Sequence, residues 1–234
     1  MKIWNVTVGL LVCVLAGNGA ALAQAAHGPM SEANRVLFVS DQLANIHRPG
    51  ILYYRLDSAG TKEQSFTDRV KLIVRSVAPD GTKNIEFDFL SGERHRFVPQ
   101  ITQATGNPIL TVFLQRDVVD MQRHTGGSWR YFQRAIKFAF ADSAVVKPVK
   151  FEFNHKQVAG TEVLIIPYHG DQHMKEMGDY ANKRYRFVLS DAVPGGVYRI
   201  ETVVPTAKDG PPLRAETLTF DHAEALANGN GVSR

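Results

Sequence analysis

Apolar residues follow two different rhythms along this chain, and the changes of rhythm mark its elements. Behind Ser31, a candidate helix cap, Val36, Leu37, Leu43 and Ile46 recur at roughly helical spacing until Pro49-Gly50 ends the pattern. From residue 51 the period becomes two. Residues 51–56 form an apolar and aromatic run; Phe66, Val70, Leu72 and Val74 alternate with Thr67, Arg69, Lys71, Ile73 and Arg75; Ile85, Phe87 and Phe89 alternate with Glu86 and Asp88. Gly60, Asp80-Gly81 and Ser91-Gly92 lie between the runs as turn residues. Connections this short make an antiparallel meander, because a parallel crossover needs a dozen or more residues.

Helical spacing returns in the middle of the chain. Asn107-Pro108 reads as an N-cap followed by proline at the first helical position, and Leu110, Phe113, Leu114, Val118 and Met121 then form one apolar stripe up to Gly126-Gly127. Ser128 opens a second helix with Trp129, Phe132, Ile136 and Phe140 on one side and Arg130, Arg134 and Lys137 largely on the other. Strand runs follow at 145–153, 163–168, 185–190, 197–204 and 213–220, with Val193-Pro194-Gly195-Gly196 and Asp209-Gly210-Pro211-Pro212 as turns. The order is helix, about four strands, two helices, about five strands, which makes the chain mainly β within the α+β class.

Before all of this stands an export signal. Lys2, an apolar run from Val6 to Leu15 and Ala21-Leu22-Ala23 give a charged start, an h-region and a small-x-small cleavage site, so residues 1–23 read as a signal peptide cut near Ala23. The run is short for a bilayer core of about 30 Å, and Cys13 follows Val12 where a lipidated cysteine needs a small residue. The expected product is a periplasmic or secreted protein that is not an integral membrane protein. It comprises one β-rich domain over 24–220 with a helical insert at about 108–141, and a flexible C-terminal tail over 221–234.

Composition narrows the function. The one cysteine lies in the signal, so the roughly 210 residues after it must fold without a disulfide, which a domain of that size can do. The 27 Lys and Arg against 23 acidic residues are a mild excess, and no RNA- or DNA-binding module accompanies them, so nucleic acid is not an expected partner. The chain holds no G-x-S-x-G elbow (Gly126-Gly127-Ser128-Trp129-Arg130 fails at the last position), no P-loop and no dinucleotide fingerprint, and no cofactor is expected.

The layout resembles the lipoprotein-carrier fold of the LolA and LolB type: an N-terminal helix, a meander, a central helical pair and a second meander behind a cleavable signal. The resemblance covers most of residues 31–220. It implies an antiparallel incomplete β-barrel, or strongly curved sheet, covered by the N-terminal helix and the helical pair, and a concave apolar surface that shelters acyl chains or another apolar ligand in the periplasm.

Three functions are weighed on this footing. The first is a non-enzymatic carrier of an apolar, lipid-like ligand, with Leu110, Phe113, Leu114, Trp129, Phe132 and Ile136 as a lid and an inward Asp68 as a polar contact; Asp68 shares strand parity with Phe66, Val70 and Leu72 and needs a partner such as Arg55, Arg116 or Arg123. The plain alternative for the helical aromatics, including Tyr131, Phe138 and Phe140, is core. The second function is an envelope adaptor that engages a protein partner. The third is a metal-assisted hydrolase built on His169, Asp171 and His173, where two imidazoles and a carboxylate share one turn but lack an evident fourth ligand unless His155 or Asp179 approaches. No metal is expected to be required. Arg94-His95-Arg96 offers either a charged edge strand or a grip on a phosphate or lipid headgroup.

Overall fold

Strand pairing follows the two meanders and joins them at one seam. In the computed structural model, which describes residues 30–61, 64–206 and 210–226, the first meander is β1 (Gly50–Ala59), β2 (Phe66–Val77), β3 (Lys83–Phe89) and β4 (Ile101–Ala104). The second is β5 (Val145–Phe153), β6 (Lys156–Ile165), β7 (Arg184–Leu189), β8 (Val197–Val204) and β9 (Arg214–Ala225). β1 pairs with β9, giving a nine-stranded antiparallel sheet in the order β4-β3-β2-β1-β9-β8-β7-β6-β5. β4 and β5 are the edges, so the sheet does not close into a barrel.

The sheet is nevertheless strongly curved. Three strands separate β5 from β9, which in a flat sheet would stand about 19 Å apart at the usual strand spacing of about 4.8 Å. Yet the rings of Phe153 on β5 and Phe220 on β9 lie 5.9 Å apart, and Phe151 stacks on Tyr198 of β8 at 4.2 Å. Register shifts at Tyr53/Tyr54, Val74/Ser76 and Val188/Leu189 supply local bends.

One face of the sheet is buried and the other carries charge, which is why period-two alternation was so legible. The outer face holds cross-strand ion pairs such as Lys71–Asp88 (2.8 Å), Arg75–Glu86 (2.6 Å) and Arg186–Glu201 (2.8 Å). Half-exposed pairs of this kind contribute little stability, and their value lies in fixing register. The inner face presents Leu52, Tyr54, Leu56, Val70, Leu72, Leu218 and Phe187 to a continuous core.

The helical pair connects the two edge strands and therefore crosses that face. α2 (Ile109–Thr125) begins where Asn107 Oδ1 accepts the Ile109 amide at 3.1 Å, and it ends at Gly126 in the left-handed region, φ +74°. α3 (Trp129–Asp142) lays Phe132 against Tyr168 and Phe140 against Phe187, with ring centroids 5.5 Å apart in each case. A short α4 (Met174–Met177) and a 3-10 turn (Gly178–Asn182) lead into β7.

Several expectations change here. The N-terminal helix is only an α turn, α1 (Glu32–Asn34), capped by Ser31 Oγ accepting the Asn34 amide, and a π turn (Arg35–Val39). It stops at Ser40, not at Pro49-Gly50. Leu43 is buried because its amide donates to Thr105 O, which docks the following segment as irregular chain on the approach to α2. Arg94-His95-Arg96 is not an edge strand: Gly92–Arg94 is a 3-10 turn, Arg96 makes a lone bridge to Phe89, and the edge is β4. The strand expected to end at Phe220 runs on to Ala225, paired with Gly50. The proposed signal peptide, and the tail beyond Leu226, lie outside the described residues.

Candidate functional site

α2 divides its residues among three directions. Leu110, Phe113, Asp117 and Met121 face the core; Leu114 and Val118 border one cleft; Val112, Arg116, Val119 and Arg123, spaced four, three and four apart, border another. That spacing is one helical face.

The second of these clefts, about 570 Å3, lies between α2 and the β2–β4 end of the sheet. Its walls include Phe66, Phe89, Leu90, Phe97, Val98 and Val112, and five arginines reach it: Arg94, Arg96, Arg116, Arg123 and Arg214. Asp120 is the carboxylate among its lining residues. Phe97 is 84% exposed and Val119 51% exposed, so part of the apolar wall faces solvent. The other cleft, about 560 Å3, lies between the N-terminal turns, α2 and α3 and is bordered by Phe38, Leu114, Ile136, Phe140 and Lys137. Its apolar floor, Val118, Ile136 and Phe140, is already covered.

Beneath the cleft of about 570 Å3, the helix is fixed to the sheet by charge. Arg116 donates to both oxygens of Glu216 on β9, at 2.9 and 2.8 Å. Arg214 donates to Glu216 at 3.0 Å and to Asp120 at 3.2 Å, and Arg123 reaches Asp120 at 2.9 Å. Burial alone pushes the Glu216 carboxyl up, but the Arg116 fork, with Arg214 behind it, overrides that and holds it down at about 2. Next to Arg116 in α2, Asp117 is buried and accepts from Lys183 Nζ and, at 2.7 Å, from the Tyr185 hydroxyl, which also meets Tyr168 at 3.0 Å. Burial and the Asp117 charge push the Tyr185 hydroxyl well up, so it stays protonated and able to donate.

The loop that carries Arg94 and Arg96 is held by Asp68. Its oxygens accept the Ser91 amide at 3.1 Å, the Ser91 hydroxyl at 2.9 Å and the Arg69 amide at 2.8 Å. Partial burial pushes its carboxyl up, and these donors, with the Arg94 charge, bring it below its ordinary value. The same loop begins at Leu90 in the left-handed region, φ +65°, a conformation that costs a leucine roughly 1–3 kcal/mol. The bridge of Arg96 to Phe89, with the Arg96 amide donating to Phe89 O at 3.0 Å, closes it. Arg94 then lies over the Phe66 ring at 4.2 Å.

The residues singled out from sequence separate under this geometry. Leu110, Phe113 and Phe132 are in the core, Leu114 and Ile136 border the covered cleft, and Trp129 is half-exposed with Arg130 over its ring at 4.7 Å. Phe138, grouped with the core aromatics, is exposed. Asp68 does not pair with the expected arginines, because Arg55 binds Asp57 and Arg116 and Arg123 bind Glu216 and Asp120; its partners are backbone and hydroxyl donors. His169 and His173 point to different partners, Asn182 at 3.3 Å and Glu176 at 3.2 Å, while Asp171 accepts the His173 amide. His155 sits at the tip of the β5–β6 hairpin. No group of three or more His, Cys, Asp or Glu among the described residues is placed to hold a metal ion. Missed by sequence were Asp117, Asp120, Lys183, Arg214 and Glu216. Glu216 was findable, since it shares parity with Leu218 and Phe220 on an inward strand face.

No family model and no curated protein matches the sequence. Among solved structures the chain is similar to the Mycobacterium tuberculosis lipoprotein LppX, at 7% identity and a TM-score of 0.31 over 76% of this chain and 88% of that one. It is similar also to a LolA superfamily protein from Nitrosomonas europaea, at 7% identity and a TM-score of 0.26 over 82% and 93%. Neither likeness carries a ligand over to this chain. Among the described residues no helix is long and apolar enough to cross a membrane.

Proposed function

We propose that this protein is an exported, non-enzymatic carrier that shelters an apolar, lipid-like ligand in the cleft between α2 and the β2–β4 end of the sheet. One observation carries the reading: an open cleft of about 570 Å3 whose apolar wall includes the exposed Phe97 and the half-exposed Val119. That volume falls within the roughly 300–1,000 Å3 of small-molecule sites. Apolar surface left in water has a standing cost, and a ligand chain that covers it recovers roughly 25 cal/mol per Å2. Of the lid residues expected from sequence, Leu110, Phe113 and Phe132 are core, while Leu114 and Ile136 border the other cleft and Trp129 is half-exposed.

Mass spectrometry of gently extracted protein tests the reading through co-purifying lipid, and a fluorescent monoacylglycerol tests it in solution. Binding that weakens in Phe97→Ser and Val119→Ser, with unchanged thermal melting, is the expected result. Protein that carries no lipid and ignores the probe is not a carrier.

A further inference from the structure

The arginines of the cleft are not accounted for by an apolar ligand alone. Three of them, Arg116, Arg123 and Arg214, share two carboxylates, Asp120 and Glu216. The other two stand at the loop side with no carboxylate at ion-pair distance among the described residues. Arg94 lies over the Phe66 ring, and Arg96 gives one nitrogen to the backbone oxygens of Glu93 and His95, at 3.1 and 2.8 Å. The cleft therefore carries an excess of positive charge at one side of an apolar wall. A cluster of guanidiniums beside low-dielectric walls focuses positive potential into the recess. Guanidinium forks match the oxygens of a phosphate or carboxylate, and such charge-assisted hydrogen bonds are about twice as strong as neutral ones.

We propose that the cleft selects an acyl amphiphile with an anionic head, the chain lying along Phe97, Val98, Val112 and Val119 and the head held by Arg94 and Arg96. This rests on the carrier reading above and adds the charge of the ligand to it. Asp68 is a positioning residue in this scheme: it touches no ligand, but through Ser91 it sets the loop from which both arginines project. A loop pinned by a half-buried carboxylate and a left-handed leucine is preorganised, which lowers the ordering cost of binding.

The test compares probes of one chain length on the full mature protein: lysophosphatidylglycerol as the phosphate head, oleate as the carboxylate head, monoolein as the uncharged control, and inorganic phosphate as the head without a chain. At least one anionic lipid should bind about tenfold or more tighter than monoolein, with the advantage shrinking as salt is raised. Arg94→Gln with Arg96→Gln should reduce anionic affinity at least about tenfold more than monoolein affinity, and both sites are exposed enough that melting should not change. Equal binding of charged and uncharged lipids, or equal losses in the double variant, overturns the anionic head and leaves the carrier standing. If no lipid binds, the carrier reading itself falls; phosphate binding in that case would make this a site for free anions, which also overturns the proposal.

Discussion

Arg116 and Glu216 are joined by two near-parallel hydrogen bonds, 2.9 and 2.8 Å long, that fasten the middle of α2 to the central strand β9. Glu216 is buried and the Arg116 side chain mostly so, which gives the pair a desolvation cost that its geometry and the neighbours Asp120 and Arg214 offset. Its consequence is acid sensitivity. The folded carboxyl titrates near 2 against an ordinary 4.5, so its contribution is complete above about 4.5 and lost as pH falls toward 2, on the order of 3 kcal/mol at most. Stability measured by denaturant titration should decline over that window. Glu216→Gln should flatten part of the decline while costing about 1–3 kcal/mol at neutral pH, because Arg116 and Arg214 are left to share Asp120.

Phe113 and Phe132 separate a lid from a core. Each is almost wholly buried, Phe113 beneath α2 and Phe132 against Tyr168. Truncation of either to Ala should cost about 3–5 kcal/mol in equilibrium unfolding and leave lipid affinity per folded molecule unchanged. A small cost, with altered binding, would move the ligand site under the helices.

Gly195 is constrained twice. Its φ is +76°, and a Cβ there would lie 2.6 Å from Leu52 Cδ1 and 3.0 Å from Asn107 Nδ2. Asn107 Nδ2 in turn donates to Gly195 O at 2.7 Å and to the Tyr54 hydroxyl at 3.0 Å, so the β7–β8 turn, β1 and the start of α2 meet at one amide. Gly195→Ala should lower the melting temperature by several degrees, equivalent to about 1–3 kcal/mol, and Asn107→Ala should do so comparably. Unchanged melting in both would mean the three elements do not depend on this junction.

How far the sequence went follows from which signals are local. Strand alternation and the α2 stripe are local, and eight of the nine strands and the two long helices emerged from them; the short edge strand β4 had no run of its own. The stripe Leu110, Phe113, Leu114, Val118 and Met121 marks what α2 buries, but a binding wall consists of the apolar residues left off that stripe, and Val112 and Val119 look like noise on a polar face. Pairing across the fold is not local either: Asp117 and Lys183 are 66 residues apart, and Arg116 and Glu216 are 100 apart. The N-terminal segment misled for a related reason. Its apolar residues kept helical spacing past Ser40, but Leu43 is held by Thr105 from a distant loop, a tertiary bond that overrides periodicity.

The last prediction concerns Asp68, which lies behind the arginine loop rather than in the cleft. Asp68→Asn keeps the size of the side chain but replaces an acceptor oxygen by a donor, so the Ser91 amide and hydroxyl cannot both be served as they are now. The loop then loses the anchor that offsets the strain at Leu90, and Arg94 and Arg96 become mobile. Because the change is at the half-buried end of β2, unfolding stability should fall by about 1 kcal/mol or less. Anionic lipid affinity should fall several-fold while monoolein affinity changes little, since Val112 and Val119 sit on α2. Hydrogen exchange should rise selectively in residues 90–97. An Asp68→Asn protein with faster exchange in that loop but undiminished preference for the anionic lipid would show that the arginines need no positioning, and that Asp68 serves the fold alone.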